Sequence, residues 1–126
     1  MYSSNPNRIL IVDNDESTLK LLHDYLQFHG YEIFSIARGA NFFQTLSVFQ
    51  PQLIVLDLRL PEIDGFTLLE QLKQRDEWQS IPVIIISALA SQTERQRAYN
   101  LGAKHYFVKP ANLRILLQTI QKEFQV

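Results

Sequence analysis

Four side chains in this sequence stand where short apolar runs end. Asp13 follows Ile9-Leu10-Ile11-Val12, Asp57 follows Leu53-Ile54-Val55-Leu56, Ser87 follows Ile84-Ile85-Ile86, and Lys109 follows Tyr106-Phe107-Val108. Two carboxylates, a hydroxyl and an ammonium form a set suited to handling a phosphoryl group. Two acids brought close together repel, and that repulsion favours capture of a hard divalent cation, Mg2+ being the natural one. The ammonium offsets the acids and meets phosphoryl oxygens as a point charge. Taken singly, each residue has an ordinary reading as a helix cap, a turn residue or a solvated lysine. Their joint occurrence at four strand ends carries the chemical one.

The elements that must position them follow from the hydrophobic pattern. Four successive large apolar residues before Asp57 read as a strand buried on both faces, the pattern of a central strand in a parallel sheet. The carboxyl ends of such strands line the crevice where open α/β sheets bind ligands. Strands are expected over 8–13, 32–36, 52–57, 82–87 and 105–109. Between and after them, helical spacing predicts helices over 17–28, 41–49, 64–74, 92–101 and 112–124. Gly30 stops the first helix as a left-handed cap, Pro51 breaks the second, Asp64 caps the third and Gly102 ends the fourth. Strict alternation of strand and helix implies a parallel sheet with right-handed crossovers and helices on both faces.

The chain has 126 residues, enough for one domain with its own core and too few after the last helix for a second. A hydrophobic content of 46% with 20% charged residues is ordinary globular composition. Lysine and arginine number 12 against 13 acids, with no basic stripe, so direct nucleic-acid binding is not expected. Cysteine is absent, which excludes disulfides and thiolate metal sites. No apolar stretch is long enough to span a bilayer, and residues 1–8 are too polar for a signal peptide. A cytoplasmic protein without membrane contact is the expectation.

With these motifs in place, the chain resembles the receiver domain of two-component response regulators. The resemblance covers about residues 7–125 and rests on Ile-Val-Asp-Asn-Asp at 11–15, Leu-Asp-Leu-Arg-Leu-Pro-Glu-Ile-Asp-Gly at 56–65, Ser-Ala at 87–88, Gly-Ala at 102–103 and Lys-Pro at 109–110. It implies a flavodoxin-like α/β sandwich with five parallel strands in the order 2-1-3-4-5, forming one receiver domain over 1–126. Asp57 is then the phosphoacceptor for a sensor histidine kinase or histidine phosphotransfer protein. Lys109 contacts the phosphate, Ser87 is the switch hydroxyl, Ala88 leaves the phosphoryl path open, and Tyr106 is the switch aromatic. Asp13, Asn14, Asp57 and the backbone carbonyl of Arg59 are the metal set. Pro61 and Gly65 are structural positions, and the Lys109–Pro110 peptide is expected to be cis.

The resemblance further implies that phosphorylation remodels the face built from the fourth helix, fifth strand and fifth helix. Tyr99, Lys104, His105 and Arg114 on that face are the candidate contacts for a downstream effector protein, with the domain a monomer or weak dimer and not a turnover enzyme. One departure stands out: the family usually has a second acid where this chain has Asn14. An amide oxygen still ligates, but the site loses one negative charge, so Mg2+ should bind more weakly. Asp15, one position on, is expected to point elsewhere. Arg59 and Leu89 flank the acceptor, and shielding by them predicts slow self-dephosphorylation.

Other readings fit less well. A haloacid-dehalogenase-type phosphatase needs a second Asp two residues after the first, where this chain has Arg59. A flavodoxin-like cofactor binder needs a Ser/Thr/Gly-rich loop after the first strand, where this chain has Asp13-Asn14-Asp15-Glu16. The competing reading is a scaffold that keeps the fold but is never phosphorylated, with Asn14 marking lost metal chemistry.

Overall fold

The computed structural model describes residues 6–125; the polar start over residues 1–5 and Val126 lie outside the described residues. Five strands and five helices alternate: β1 (Arg8–Val12), α1 (Glu16–Phe28), β2 (Glu32–Ile36), α2 (Phe42–Phe49), β3 (Leu53–Leu56), α3 (Gly65–Lys73), β4 (Val83–Ser87), α4 (Gln92–Asn100), β5 (His105–Val108) and α5 (Leu113–Glu123). A short 3-10 turn, Gly39–Asn41, leads into α2. The strands form one parallel sheet in the order β2-β1-β3-β4-β5.

The sheet separates two apolar layers. On one face Leu10, Val12, Ile54, Leu56, Val83 and Ile85 pack with Phe42, Leu46, Phe66, Leu69 and Leu72 from α2 and α3 and with Ala98 of α4. On the other, Ile9, Ile11, Leu53, Val55, Ile84 and Ile86 meet Leu22 and Leu26 of α1 and Leu116, Leu117 and Ile120 of α5. Alternate residues of β1, β3 and β4 serve opposite layers, which is why these strands carry unbroken apolar runs.

Helix starts are set by side chains that satisfy free amides. Asp15 accepts from the Ser17 amide at α1, Asp64 from Phe66 at α3, Ser91 from Glu94 at α4 and Asn112 from Ile115 at α5. At the other ends, Gly30 (φ 97°) and Gly102 (φ 110°) are in the left-handed region that glycine occupies without strain. The end of α2 differs from expectation in its means: Gln50 takes a left-handed conformation (φ 53°) as the cap, and Pro51 only follows it.

Strand boundaries also differ slightly. Asp13, Asp57 and Lys109 each lie one residue beyond the strand they were expected to finish. Their amides still donate across the sheet, Asp13 to Ile36 O (3.1 Å), Asp57 to Val12 O (2.9 Å) and Lys109 to Ser87 O (2.9 Å). The chain therefore turns away while each residue is still anchored on one side. That places three side chains on the same edge of the sheet.

Candidate functional site

The edge formed by the ends of β1, β3, β4 and β5 gathers Asp13, Asp57, Ser87 and Lys109. Asp13 is 2%, Asp57 5% and Ser87 0% exposed, and they are the buried polar side chains among the described residues. The Lys109 ammonium lies 2.9 Å from Asp57 Oδ2 and 3.0 and 3.1 Å from the two carboxylate oxygens of Asp13. Asp57 Oδ1 accepts from the Arg59 amide at 3.0 Å, and Asp13 Oδ1 accepts from the Asp15 amide at 2.8 Å. Each acid is thus oriented by its own downstream backbone and shares one cation with the other. The Lys109–Pro110 peptide is cis.

The electrostatics follow from this crowding. Burial pushes the Asp13 carboxyl above its ordinary range, and the neighbouring Asp57 charge adds to it; the Asp15 amide and Lys109 offset only part of the rise. For Lys109 burial acts downward, but the hydrogen bonds and charges of Asp57 and Asp13 outweigh it and the ammonium is held above its ordinary range. The lysine is therefore firmly charged at neutral pH, as a point cation beside two acids.

Ser87 and Tyr106 are linked through one residue. The Leu89 amide donates to Ser87 Oγ at 3.2 Å, while the Tyr106 hydroxyl donates to the Leu89 carbonyl at 2.6 Å. Arg95 of α4 lies over the Tyr106 ring, 5.5 Å from its centroid, and Tyr99 lies beside it at 6.5 Å. Ala88 is exposed at the mouth of the site. Asn14 and Arg59 are exposed at the same edge, in the loops that follow β1 and β3, and Pro61 lies further along the second loop. Asp15 is committed elsewhere, receiving the Ser17 amide and the Thr18 hydroxyl at the start of α1.

The remaining candidates lie away from this cluster. Lys104 and His105 both reach Glu123 at the end of α5, at 2.8 and 2.9 Å. Tyr99 on α4 and Arg114 on α5 are exposed. The pairing of Glu123 with β5 was not foreseen, since nothing local to residue 123 marks it. Neither was the role of Lys73, whose ammonium donates to the carbonyls of Gln79 and Ile81 and ties down the segment before β4.

The donor set has the chemistry of a hard-cation site: two buried carboxylates with lone pairs still free, a nearby backbone carbonyl at Arg59, and an amide at Asn14. It is lean in charge. Among the described residues no group of three or more His, Cys, Asp or Glu side chains is placed to hold a metal. Two buried carboxylates at one edge are oxygen donors of the kind that a hard divalent cation takes.

Comparison with known sequences decides the family. The sequence pattern described as response regulator receiver domain matches residues 9–121. This chain belongs to that family. The receiver domain is 35% identical over 119 residues to the transcriptional regulatory protein GltR of Pseudomonas aeruginosa, covering 94% of this chain and 49% of that protein. This chain therefore spans about half the length of GltR. It is 31% identical over 116 residues to the polar-differentiation response regulator DivK of Brucella anthropi, covering 92% of this chain and 94% of DivK. Among solved structures, the BeF3-activated N-terminal receiver domain of Klebsiella pneumoniae RstA superposes with a TM-score of 0.87 at 28% identity, covering 94% of this chain and all of that one (100%). Receiver domains are signalling modules of two-component systems. No helix among the described residues is long and apolar enough to cross a membrane.

Proposed function

We propose that this receiver domain takes a phosphoryl group onto Asp57 from the phosphohistidine of a sensor kinase or phosphotransfer protein and thereby switches a protein-binding face. The observation that carries the reading is the Lys109 ammonium held within 3.1 Å of both Asp13 and Asp57 at one sheet edge. An Asp57 oxygen attacks phosphorus in line, a P–O bond forms, the P–N bond breaks, and the imidazole leaves. Such a transfer asks mainly for positioning and charge stabilisation. Lys109 moves from its carboxylate partners to the phosphoryl oxygens, and the buried Ser87 hydroxyl donates to them. Ala88 leaves the approach open. Asp13, Asn14, Asp57 and the Arg59 carbonyl would hold Mg2+, which when bound neutralises charge on the transferring oxygens.

The switch follows from the Leu89 peptide. Drawing Ser87 toward a phosphoryl group of about −1.5 to −2 charge loosens its bond from the Leu89 amide. The carbonyl of the same residue accepts the Tyr106 hydroxyl, so a shift of Leu89 frees Tyr106 to turn inward. That repacks the surface of α4, β5 and α5, where Tyr99, Lys104, His105 and Arg114 meet an effector protein. The domain acts in the cytoplasm, without direct nucleic-acid or membrane contact and without turnover of an external substrate. The similarity to RstA's receiver domain, solved in a BeF3-activated form, supports this reading.

A second reading has a specific observation behind it. Asn14 removes an acid from the metal set, which suits a receiver-like scaffold that is never phosphorylated. Intact mass after incubation with Mg2+ and acetyl phosphate, beside Asp57→Asn, separates the two. One added phosphoryl group that requires Mg2+ and Asp57 is expected. No gain from acetyl phosphate or from phosphorylated kinases, with no Mg2+ binding in a titration, would establish the scaffold.

A further inference from the structure

The sheet has an open edge on the side of β1 away from β3, the strand that presents Asp57. Among the described residues β2 is an outer strand, paired only with β1. The Glu32 amide donates to Asn7 O and the Ile36 carbonyl accepts from the Asp13 amide, so residues 32, 34 and 36 turn their backbone groups toward β1. By the alternation of a strand, Ile33 and Ser35 turn theirs to the open side. Natural edges are usually blunted by lysine, proline or a bulge. The β2 sequence Glu-Ile-Phe-Ser-Ile has neither lysine nor proline, and its register with β1 runs unbroken over five residues.

The surface above this edge is largely apolar, and the two charged residues that line it, Arg8 and Glu32, are of opposite sign. Phe34 is 46% and Val48 81% exposed. They line a cavity of about 580 Å³ with Ile36, Phe49 and the polar or charged Arg8, Glu32 and Gln44, and the Phe34 and Phe49 rings stand 5.5 Å apart. Helix α2, Phe-Phe-Gln-Thr-Leu-Ser-Val-Phe, carries no charged residue. Exposed apolar side chains beside a free strand edge mark a surface that other chains cover.

We propose that two copies of this receiver domain associate through their β2 edges. Antiparallel pairing about a twofold axis at Phe34 sets Ile33 of each copy opposite Ser35 of the other. These are the residues whose backbone groups are free, so each such pair exchanges two hydrogen bonds. Phe34 then faces its own counterpart at the non-hydrogen-bonded position, where side chains approach most closely. The twofold keeps both α2 helices on the same face of a continuous ten-stranded sheet, and the two Phe34 rings and Val48 side chains close the two cavities together. Charge selects this occupant. Glu32 is the one charged residue of β2, and the twofold sets it opposite Ile36 of the other copy rather than opposite itself. No like-charge pair forms across the strands. Antiparallel pairing also points the two Asp57 edges in opposite directions, so both sites stay open to a kinase.

Sedimentation velocity over a micromolar to millimolar concentration series tests the proposal on the full chain. A monomer–dimer equilibrium is expected, weakened more than about tenfold, or roughly 1.4 kcal/mol, by Phe34→Lys. Val48→Glu, at a helix position 81% exposed and outside the core, is expected to weaken it likewise and guards against misfolding of the first variant. A chain that stays monomeric throughout, or a dimer unaffected by both substitutions, would overturn the β2 interface. The second result would place the contact elsewhere.

Discussion

Gly65 presses against Leu58: its amide donates to the Leu58 carbonyl at 3.0 Å, and a Cβ on residue 65 would lie 2.5 Å from the Leu58 Cα and 2.9 Å from the Asp57 carbonyl. The start of α3 therefore sits directly on the backbone that presents Asp57. The atoms in the way are main chain and cannot rotate aside.

Gly65→Ala should accordingly cost about 1–3 kcal/mol, as overpacking of a tight contact does, and should also slow phosphorylation by displacing Asp57. Urea unfolding gives the first quantity and the initial rate with acetyl phosphate the second. Equal rates and equal midpoints for the two proteins would show that the loop absorbs the methyl group.

Lys109→Met leaves two buried acids without their shared cation. Its side chain is only 19% exposed, so the loss should reach about 1–3 kcal/mol in unfolding free energy at neutral pH. Added Mg2+ should restore more stability to the variant than to the unaltered protein, because a cation there offsets stronger repulsion. A midpoint indifferent to Mg2+ in both proteins would contradict a metal site at this edge.

Asn14→Asp adds the missing negative charge. Mg2+ affinity measured by calorimetry should rise by roughly tenfold, the effect of about 1–2 kcal/mol of Coulomb attraction near the surface. The metal-free variant should be slightly less stable, since a third acid joins Asp13 and Asp57. Unchanged affinity would mean that residue 14 lies outside the metal set.

Glu123 predicts an acid-labile link between β5 and α5. Burial alone would raise its carboxyl, but hydrogen bonds from Lys104 and His105, and their charges, outweigh it and hold the group below its ordinary range. A carboxylate lowered on folding contributes stability at neutral pH and loses it as the pH falls below about 4.3. Lys104 is 59% exposed, so the contribution should not exceed about 1 kcal/mol. Unfolding free energy should therefore fall more steeply through that range for the unaltered protein than for Glu123→Gln. Parallel curves would show that the cluster adds nothing.

Arg59 and Leu89 flank Asp57 in the loops after β3 and β4. If they shield the acyl phosphate, Arg59→Ala and Leu89→Ala should each shorten the lifetime of the phosphorylated form several-fold, read as loss of added mass with time. Faster decay in the unaltered protein than in the variants would reverse that role.

What was legible from the chain alone was local. The apolar runs ending at Asp13, Asp57 and Ser87, the capping residue Asp64, the left-handed Gly30 and the helix-ending Gly102 each act through a few neighbouring residues, so spacing reveals them. The strand order came with the family resemblance rather than with periodicity, because a period of two records a buried face and not a neighbour. Lys104 and His105 read as contacts for an effector protein, yet both meet Glu123 at the end of α5.

The sequence by itself determined which residues end strands and which types of chemistry they offer. Only the tertiary structure decided that Lys109 lies 3.1 Å from an acid 96 positions earlier, that Gly65 must lack a side chain, and that β2 has no outer neighbour among the described residues. Those outcomes depend on how the sheet is ordered and how closely separate backbones approach. Such long-range geometry is the joint product of the whole core and is written in no single segment.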